Sequence, residues 1–545
     1  TQRSPQAMTL SELLQVLEKT LSYVPSSTNT AEAADISLYD HQKLTAAFAV
    51  CLWHVFQERG ITDYKSYCYG KHQKALRSAP VYRLASGDIS GIQKFIYTIP
   101  SKGALKSLRG RSLYLDILLE HIVDKIRGAC HVSRSCLLYT GGGHFYLLLP
   151  NTTHTQAVLQ KADSLINDWF LQHYGTKLYI ALASEPCSAD DFSVRGGGAG
   201  KVFQKVSQAL GQKKLCRYDE QQLTALFDAQ SRYNKDTDGS RECAICHTAS
   251  PAADLQPYGE DTGDGAEEAC ASCNALFRLG KSSLTASMFV ISPSAGREGV
   301  PLPGLAQPYY LQAIREKELA AMDKPKRIYV KNEITLGQAV STHLWMGDYI
   351  TCNEQGHAVE FTELAQQSGG SREETGIARI GVLRGDVDNL GAAFIAGFSS
   401  SYDTLSRKVT LSRNLSLFFK QYIKAICQGH TAEGTPGFTL FTDEVKRERK
   451  VHVIYSGGDD MFLAGTWDDI LEVAVDIRHA FRRFTNGKLT FSAGIGFFHP
   501  SCPISQMARE TGKLEDYAKA NPRHDKDSVA LFGEVSQSTG KDSAM

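Results

Sequence analysis

Val451-His452-Val453-Ile454-Tyr455-Ser456-Gly457-Gly458-Asp459-Asp460-Met461-Phe462-Leu463-Ala464 decides how this chain is read. Apolar runs flank Ser456-Gly457-Gly458-Asp459-Asp460, so the stretch reads as a β-hairpin turned on glycine. Glycine accepts positive φ and lets a bulky anion approach the backbone. Adjacent carboxylates repel each other unless a cation lies between them. Magnesium held by carboxylates together with substrate phosphates is the usual use of such a pair. A solvated acidic hairpin tip is the plain alternative.

A second acidic pair argues against that alternative. Ile380-Gly381-Val382-Leu383-Arg384-Gly385-Asp386-Val387-Asp388-Asn389-Leu390 is an apolar run ending in carboxylates two residues apart. Residues at i and i+2 share a face if the strand runs on through Asp388. A helical stretch from Leu405 to Ile426 follows, then the hairpin, a helix near Trp467–Phe484 and a strand at Leu489–Phe497. Strand–helix–hairpin–helix–strand is the ferredoxin-like βαββαβ order, on which palm-type polymerases and nucleotide cyclases bind nucleoside triphosphates. It places the first strand beside the hairpin. Asp386, Asp388, Asp459 and Asp460 are therefore expected to converge on one or two Mg²⁺ or Mn²⁺ ions, with Asp459 and Asp460 catalytic. Such two-metal sites serve in-line phosphoryl displacement.

The same plan occurs earlier in degraded form. Gly87-Asp88-Ile89-Ser90-Gly91-Ile92 matches Gly385 to Leu390, with Ser90 where Asp388 stands. Leu138-Tyr139-Thr140-Gly141-Gly142-Gly143-His144-Phe145 matches Ile454 to Met461, with Gly143 and His144 in place of both aspartates. Lys177-Leu178-Tyr179-Ile180-Ala181 matches Lys488-Leu489-Thr490-Phe491-Ser492. Three segments in one order point to an internal duplication, against the alternative of two unrelated α/β domains. The first copy keeps only Asp88 of four acidic positions. It is expected to present Asp88, Ser90 and the amides of Gly141, Gly142 and Gly143 to a nucleotide without holding catalytic metal. The fold class expected is α+β: two ferredoxin-like palm/cyclase domains, one degenerate, facing each other across a zinc-ribbon-containing linker.

That linker carries Cys243-Ala244-Ile245-Cys246 and Cys270-Ala271-Ser272-Cys273, two CxxC pairs 23 residues apart. Cys243, Cys246, Cys270 and Cys273 suit a closed tetrahedral zinc site, hence a structural one; four reduced thiols without metal are the alternative. The acidic Gly259–Glu268 stretch reads as a ribbon loop and His247 as a bystander. The boundaries expected are 1–75, 76–230 for the degenerate palm, 231–335 for the zinc-binding linker, and 336–545 for the catalytic palm.

With 545 residues the chain has room for three or four domains. Fifty-nine basic and fifty-nine acidic residues cancel, so no bulk field announces nucleic-acid binding. Lys102, Lys106, Arg109 and Arg111 form a local basic cluster that reads equally as a phosphate contact or a solvated face. Lys446, Arg447, Arg449 and Lys450 alternate with acids and read as a mobile loop edge. Thirteen cysteines without an apolar leader fit a reducing cytoplasm. No apolar run is long enough to span a membrane.

Taken together, these motifs resemble the large subunit of type III CRISPR effector complexes, in particular the Csm-type (type III-A) branch. The resemblance rests on Gly87 to Phe95, Lys106-Ser107-Leu108-Arg109-Gly110-Arg111-Ser112, Gly141-Gly142-Gly143, both CxxC pairs, Gly385 to Gly391 and the GGDD hairpin. Pro25-Ser26-Ser27-Thr28 and Ser37-Leu38-Tyr39-Asp40-His41 resemble the end of that family's N-terminal region, and the likeness covers roughly residues 25 to 535. It implies a ribonucleoprotein with guide crRNA and smaller subunits, in which pairing with target RNA switches on conversion of ATP into cyclic oligoadenylates for antiviral defence. It implies a hydroxyl of one ATP attacking the α-phosphate of another with Mg²⁺, the second ATP being held by the degenerate palm. Ser456, Gly457, Gly458, Asn389, Lys519 and Lys526 are the nucleotide contacts it points to, with solvated lysines as the plain reading of the last two.

Two departures from the family pattern stand out. Many members carry an N-terminal HD nuclease for single-stranded DNA, yet residues 1–80 contain no His-Asp doublet. Asp40-His41 is reversed, and residues 1–75 read as a helical remnant, so no DNase activity is expected of this chain. His524-Asp525 lies in a charged loop. The family usually continues with a C-terminal helical domain, whereas Ser536–Met545 reads as a polar tail, so that domain is expected to be missing from this chain; Lys526 and Lys541 both begin a Lys-Asp-Ser triplet. Two competing classes remain at this point: a GGDEF-like diguanylate cyclase, separated by the nucleotide consumed, and a non-catalytic scaffold binding guide RNA and partner subunits.

Overall fold

The computed structural model describes residues 9–99, 103–194, 198–231, 234, 240–251, 254–258, 267–296, 298–322, 325–333, 341–368, 377–430, 437–440, 448–521 and 526–532. Lys102, Gly259 to Ala266, Lys446, Arg447, His524-Asp525 and the stretch containing Ser536 and Lys541 lie outside the described residues. The chain divides into two compact units: residues 1–96, 110–345 and 391–415, and residues 97–109, 346–390 and 416–545. Among the described residues no helix is long and apolar enough to cross a membrane.

In the first unit, α1 (Leu10–Leu21) starts on a capping box in which Thr9 and Glu12 satisfy each other's backbone amides. Ser37 caps α2 (Leu38–Glu58). Asp40 in its first turn is fully buried, and both its carboxylate oxygens accept from Arg413 while Oδ2 also accepts from Thr410 and Ser37. That aspartate is therefore taken up in a buried ion pair that fastens residues 391–415 to α2.

The palm-like sheet of this unit is built from β1 (Tyr82–Ser90), β2 (Leu137–Gly141), β3 (His144–Pro150) and β4 (Tyr179–Cys187). Helix α3 (Ala104–Ala129) links β1 to the β2–β3 hairpin, and α4 (Thr153–Tyr174) links the hairpin to β4. Spatial order is β2-β3-β1-β4, all neighbours antiparallel. Thr152 caps α4, and Gly175 at φ 58° ends it. α4 and α5 (Gly200–Leu215) pack on β4, and α2 on β3. The core they close includes Leu84, Phe145, Leu147, Ile166, Phe170 and Ile180.

Further along, α6 (Ala271–Ser282) leads into a five-stranded sheet ordered Val300–Leu302, Tyr309–Ile314, Met288–Ser292, Arg327–Lys331, Ser341–Leu344. α3 meets α6 backbone to backbone: a Cβ at Gly110 would stand 1.9 Å from the Leu276 carbonyl oxygen. The basic cluster around this glycine is not a solvated face. Arg109 and Arg111 are buried, because the long amphipathic helix turns both inward.

The second unit repeats the arrangement with additions. β5 (Ile380–Val387) is followed in the chain by α7 (Leu405–Leu417), which up to Leu415 belongs to the first unit, and then by a π-helical turn Phe418–Tyr422 and a short helix Ile423–Cys427 of the second. Next come β6 (Val451–Gly457), β7 (Asp460–Thr466), α8 (Trp467–Phe484), β8 (Phe491–Phe498), α9 (Ile504–Lys519) and β9 (Val529–Leu531). The order is β6-β7-β5-β8-β9, the first four matching the first unit and β9 lying parallel to β8. Even the irregularities coincide. The ladder shifts between Leu137 and Tyr139 in one hairpin and between Val453 and Tyr455 in the other.

Arg449 is not part of a mobile loop edge. It is buried, and its guanidinium pairs with Glu472 and Asp476 of α8 and lies near Asp469. Charge alternation in sequence looked like solvation, but α8 directs its acidic first turns at this one cation.

Candidate nucleotide and metal sites

β5 and β7 run antiparallel with Asp386 directly opposite Asp460, and the Val387 amide donates to the Asp459 carbonyl at 2.9 Å. The hairpin tip is a two-residue turn, Gly458-Asp459, with Gly458 at φ 70°. Backbone geometry therefore sets Asp386 and Asp460 on one face, with Asp459 at its end. Their charges act on one another. Burial first, then Asp459 and Asp386, push the Asp460 carboxyl up to about 8. Burial first, then Asp459, push Asp386 up to about 6 against the pull of Lys519. Asp460 Oδ1 is buried without a hydrogen-bond partner.

A cation would relieve this arrangement. A buried carboxylate oxygen left unsatisfied beside two like charges is costly unless something positive meets it. Asp386, Asp459 and Asp460 are oxygen donors of the hard type that suits Mg²⁺ or Mn²⁺. Their oxygens stay apart: among the described residues, the one group of three or more potential ligands within 4.8 Å of one another is the cysteine cluster.

Asp388 is held differently: its Oδ1, like that of Asp460, is buried without a hydrogen-bond partner, while its Oδ2 is engaged. β5 ends at Val387, Asn389 turns left-handed at φ 56°, and the Asp388 amide donates to the Thr490 carbonyl. Asp388 Oδ2 accepts from Thr490 Oγ1 at 2.8 Å and from the Asp527 amide at 3.0 Å. The expected shared face needed the strand to continue, and it stops one residue short. Asp388 instead ties down the Lys526-Asp527-Ser528 turn, in which Lys526 and Asp527 both have positive φ. Lys526 Nζ donates to Asn389 Oδ1 at 2.6 Å, and Arg478 pairs with Asp527 at 2.8 Å.

Lys519, at the end of α9, bridges Asp386 Oδ2 at 2.7 Å and Glu515 Oε1 at 2.6 Å, and Glu515 also holds Arg384 at 2.7 Å. Ser456 turns away from the acids and donates to the Phe419 carbonyl. Tyr455 donates to the Gly457 carbonyl at 3.2 Å and also hydrogen-bonds Asp460. Glu515, Arg384 and Tyr455 escaped the motif reading. The (i, i+4) spacing of Glu515 and Lys519 was the available signal.

The first unit reproduces this framework with different groups. Asp88 stands opposite His144, and the Ile89 amide donates to the Gly143 carbonyl at 2.9 Å. Lys214, at the end of α5, meets Asp88 Oδ2 at 2.7 Å, as Lys519 meets Asp386. His144 Nδ1 lies 3.3 Å from the same oxygen and its Nε2 2.9 Å from Ser86 Oγ. Burial would raise the Asp88 carboxyl, but His144 and Lys214 outweigh it and hold it below its usual value. Two side-chain donors thus satisfy the one remaining acid. Gly142 and Gly143 both have positive φ, and a Cβ at Gly143 would stand 2.1 Å from Ile92 Cδ1, so a side chain there would be strained. Gly141 ends β2 opposite His144, and Ser90 ends β1 opposite Tyr179.

Cys243, Cys246, Cys270 and Cys273 bring their sulfurs within 4.8 Å of one another. The Cys270 amide donates to Cys243 Sγ at 3.3 Å, and Arg111 donates to Cys273 Sγ at 3.3 Å. Donors aimed at sulfur favour thiolates, which is the form zinc requires. Lys177 donates to the Cys246 carbonyl at 2.7 Å, and His247 faces Glu242 rather than the sulfurs.

Sheet order and hairpin recur in both units, and the second carries the paired acids. Comparisons with known proteins give a palm domain for the second. A family profile described as "Cas10/Cmr2, second palm domain" matches residues 379–530, and "Csm1 subunit domain B" matches residues 81–230. The Cas10/Csm1 (subtype III-A) single-strand-specific deoxyribonuclease of Mycobacterium tuberculosis is 40% identical over 542 residues, covering 96% of this chain and 63% of that protein. Its counterpart in Streptococcus thermophilus is 38% identical over 530 residues, covering 96% and 63%. A solved Csm1–Csm4 subcomplex of the type III-A interference complex superposes with TM-score 0.74 at 29% identity, covering 96% of this chain and 62% of that one. A Csm1–Csm4 cassette in complex with cA4 gives TM-score 0.70 at 28% identity, covering 94% and 61%. The chain belongs to the Cas10/Csm1 family of type III-A CRISPR large subunits. It spans about 63% of the length of the relatives just named.

Proposed function

We propose that this chain is the nucleotidyl-transfer part of a type III-A CRISPR ribonucleoprotein, joining ATP into cyclic oligoadenylates. The observation that carries the proposal is the placement of Asp386 opposite Asp460 on neighbouring strands with Asp459 in the adjoining turn, where burial and the neighbouring carboxylates raise Asp386 and Asp460. Related cassettes solved with one ATP and with cA4 support the choice of nucleotide and product.

Asp386, Asp459 and Asp460 would hold the divalent ions, which when bound neutralise phosphate charge and lower the barrier to displacement. The protein's part is placement. The Gly457-Gly458 backbone, bare of side chains, would take the triphosphate, Asp388 and Asn389 would hold the Lys526 turn, and Lys519 would pass from Asp386 to phosphate oxygens. A ribose hydroxyl oxygen of one nucleotide bonds to the α-phosphorus of the next, the bond to pyrophosphate breaks, and the hydroxyl proton leaves to solvent. Asp88, Ser90 and the Gly141–Gly143 turn would carry the second ATP without metal. Guide crRNA, target RNA and a Csm4-like subunit are the partners this role requires, with the cytoplasm as its place. The zinc site would be structural.

The test is incubation of the assembled complex with ATP or GTP, Mg²⁺ or Mn²⁺, and matching target RNA, with products resolved by mass. Oligoadenylate from ATP that disappears in Asp459→Ala/Asp460→Ala is expected. Consumption of GTP instead would point to a diguanylate cyclase, and no product from either nucleotide to a scaffold.

A further inference from the structure

The π-helical turn Phe418–Tyr422 carries a lysine that the proposed chemistry leaves unused. Lys420 is only 7% exposed, and among the described residues it makes no hydrogen bond or ion pair. Lys424, one turn on, is paired with Asp348 at 2.8 Å. Its stem is buried while its ammonium keeps contact with solvent, where an anion could meet it. π-helical turns occur mostly as single turns within α-helices, frequently at functional sites.

Its direction is informative. A Cβ built on Gly457 would lie 3.7 Å from Lys420 Cε and 3.9 Å from the Tyr455 hydroxyl. Gly457 is the cross-strand partner of Asp460, which is in turn the partner of Asp386. Directly opposed residues share a face of a sheet. The end of Lys420 therefore reaches around β6, the outer strand, onto the face that carries the acids. Lys519 reaches the same acids from α9. Two lysines flank the carboxylates from opposite edges: one bound by Asp386 and Glu515, the other with nothing to bind.

We propose that Lys420 is a phosphate-binding residue, taking a non-bridging oxygen of the β- or γ-phosphate of the nucleotide held at Asp386, Asp459 and Asp460. The assignment rests on the nucleotidyl-transfer reading above and adds the group that grips the leaving pyrophosphate. Gly457 keeps the passage between Lys420 and Tyr455 open to that oxygen.

Calorimetric titration of the full chain with ATP, pyrophosphate and AMP, each with Mg²⁺, tests the assignment on the unsubstituted protein, Lys420→Met and Lys420→Arg. A charge-assisted phosphate contact predicts weakening of ATP and pyrophosphate by about tenfold or more in Lys420→Met. AMP should change by less than about threefold, and Lys420→Arg should bind ATP nearly as the unsubstituted chain does. Equal ATP affinity in Lys420→Met, or equal losses for ATP and AMP, overturns the inference and leaves the catalytic reading standing. An unsubstituted chain that binds neither ATP nor pyrophosphate removes both. If Lys420→Met does not fold, amine acetylation of the unsubstituted chain decides. Pyrophosphate with Mg²⁺ should protect Lys420 and leave Lys424 reactive as before; equal reactivity of Lys420 with and without pyrophosphate refutes the proposal.

Discussion

Lys519 and Asp386 meet at 2.7 Å, the distance that separates Lys214 and Asp88 in the other copy. The lysine that ends the helix is thus common to both units, present also where His144 stands in place of Asp460. In the second unit it supplies positive charge to an acid that also faces Asp459. Lys519→Met should therefore destabilise the metal-free chain by about 1–2 kcal/mol, the order of a charged hydrogen bond in a partly buried setting. Mg²⁺ should shrink that difference. Urea melts in EDTA and in Mg²⁺ measure both, and identical melts in EDTA would refute the role.

The raised Asp460 and Asp386 carboxyls set a direction for pH. Their folded values, about 8 and about 6, lie above the ordinary carboxylate range of about 4. The folded chain then binds more protons than the unfolded one, so the contribution of these groups to stability falls as pH rises through that window. Divalent ions bind the deprotonated acids and relieve the penalty. Mg²⁺ affinity should rise between pH 6 and 8, with proton release seen as a dependence of the titration heat on buffer ionisation. Affinity independent of pH across that window would contradict the assignment.

Arg449 is the cation at the centre of α8's acidic face. Arg449→Met removes it from beside Glu472 and Asp476, both buried. Breaking one side of a buried ion pair costs about 3–5 kcal/mol. Loss of most soluble expression, or a large drop in denaturant midpoint, is expected, while a midpoint like that of the unsubstituted chain would show the cluster to be dispensable.

The four cysteines should bring one equivalent of zinc through purification, measured by plasma emission. Cys243→Ser should lose it. Arg111→Met should release zinc faster to a colorimetric chelator, because the guanidinium beside Cys273 Sγ offsets thiolate charge. Zinc content unchanged in Cys243→Ser would exclude the site.

Much of this was readable from the residues alone, for a physical reason. The GGDD turn, the two CxxC pairs and the repeat of Gly-Asp-x-x declare themselves because each chemistry sits within a few consecutive residues. The alignment of Asp88 with Asp386 and of His144 with Asp460 holds in the strand register. What the sequence hid depends on where strands stop and helices point. Asp388 falls one residue beyond β5 and turns to Thr490. Arg449 looked solvated because its acidic partners lie a strand and a hairpin away. Lys214 and Lys420 are ordinary helix lysines until the helix end or the π-helical turn aims them.

The main-chain bond from Val387 to the Asp459 carbonyl, repeated from Ile89 to Gly143, has an evolutionary corollary. Every residue but proline owns an amide hydrogen, so substitution of side chains leaves this rivet in place. Ancestral copies were accordingly free to shed their reactive groups one by one while the scaffold beneath them kept its outline.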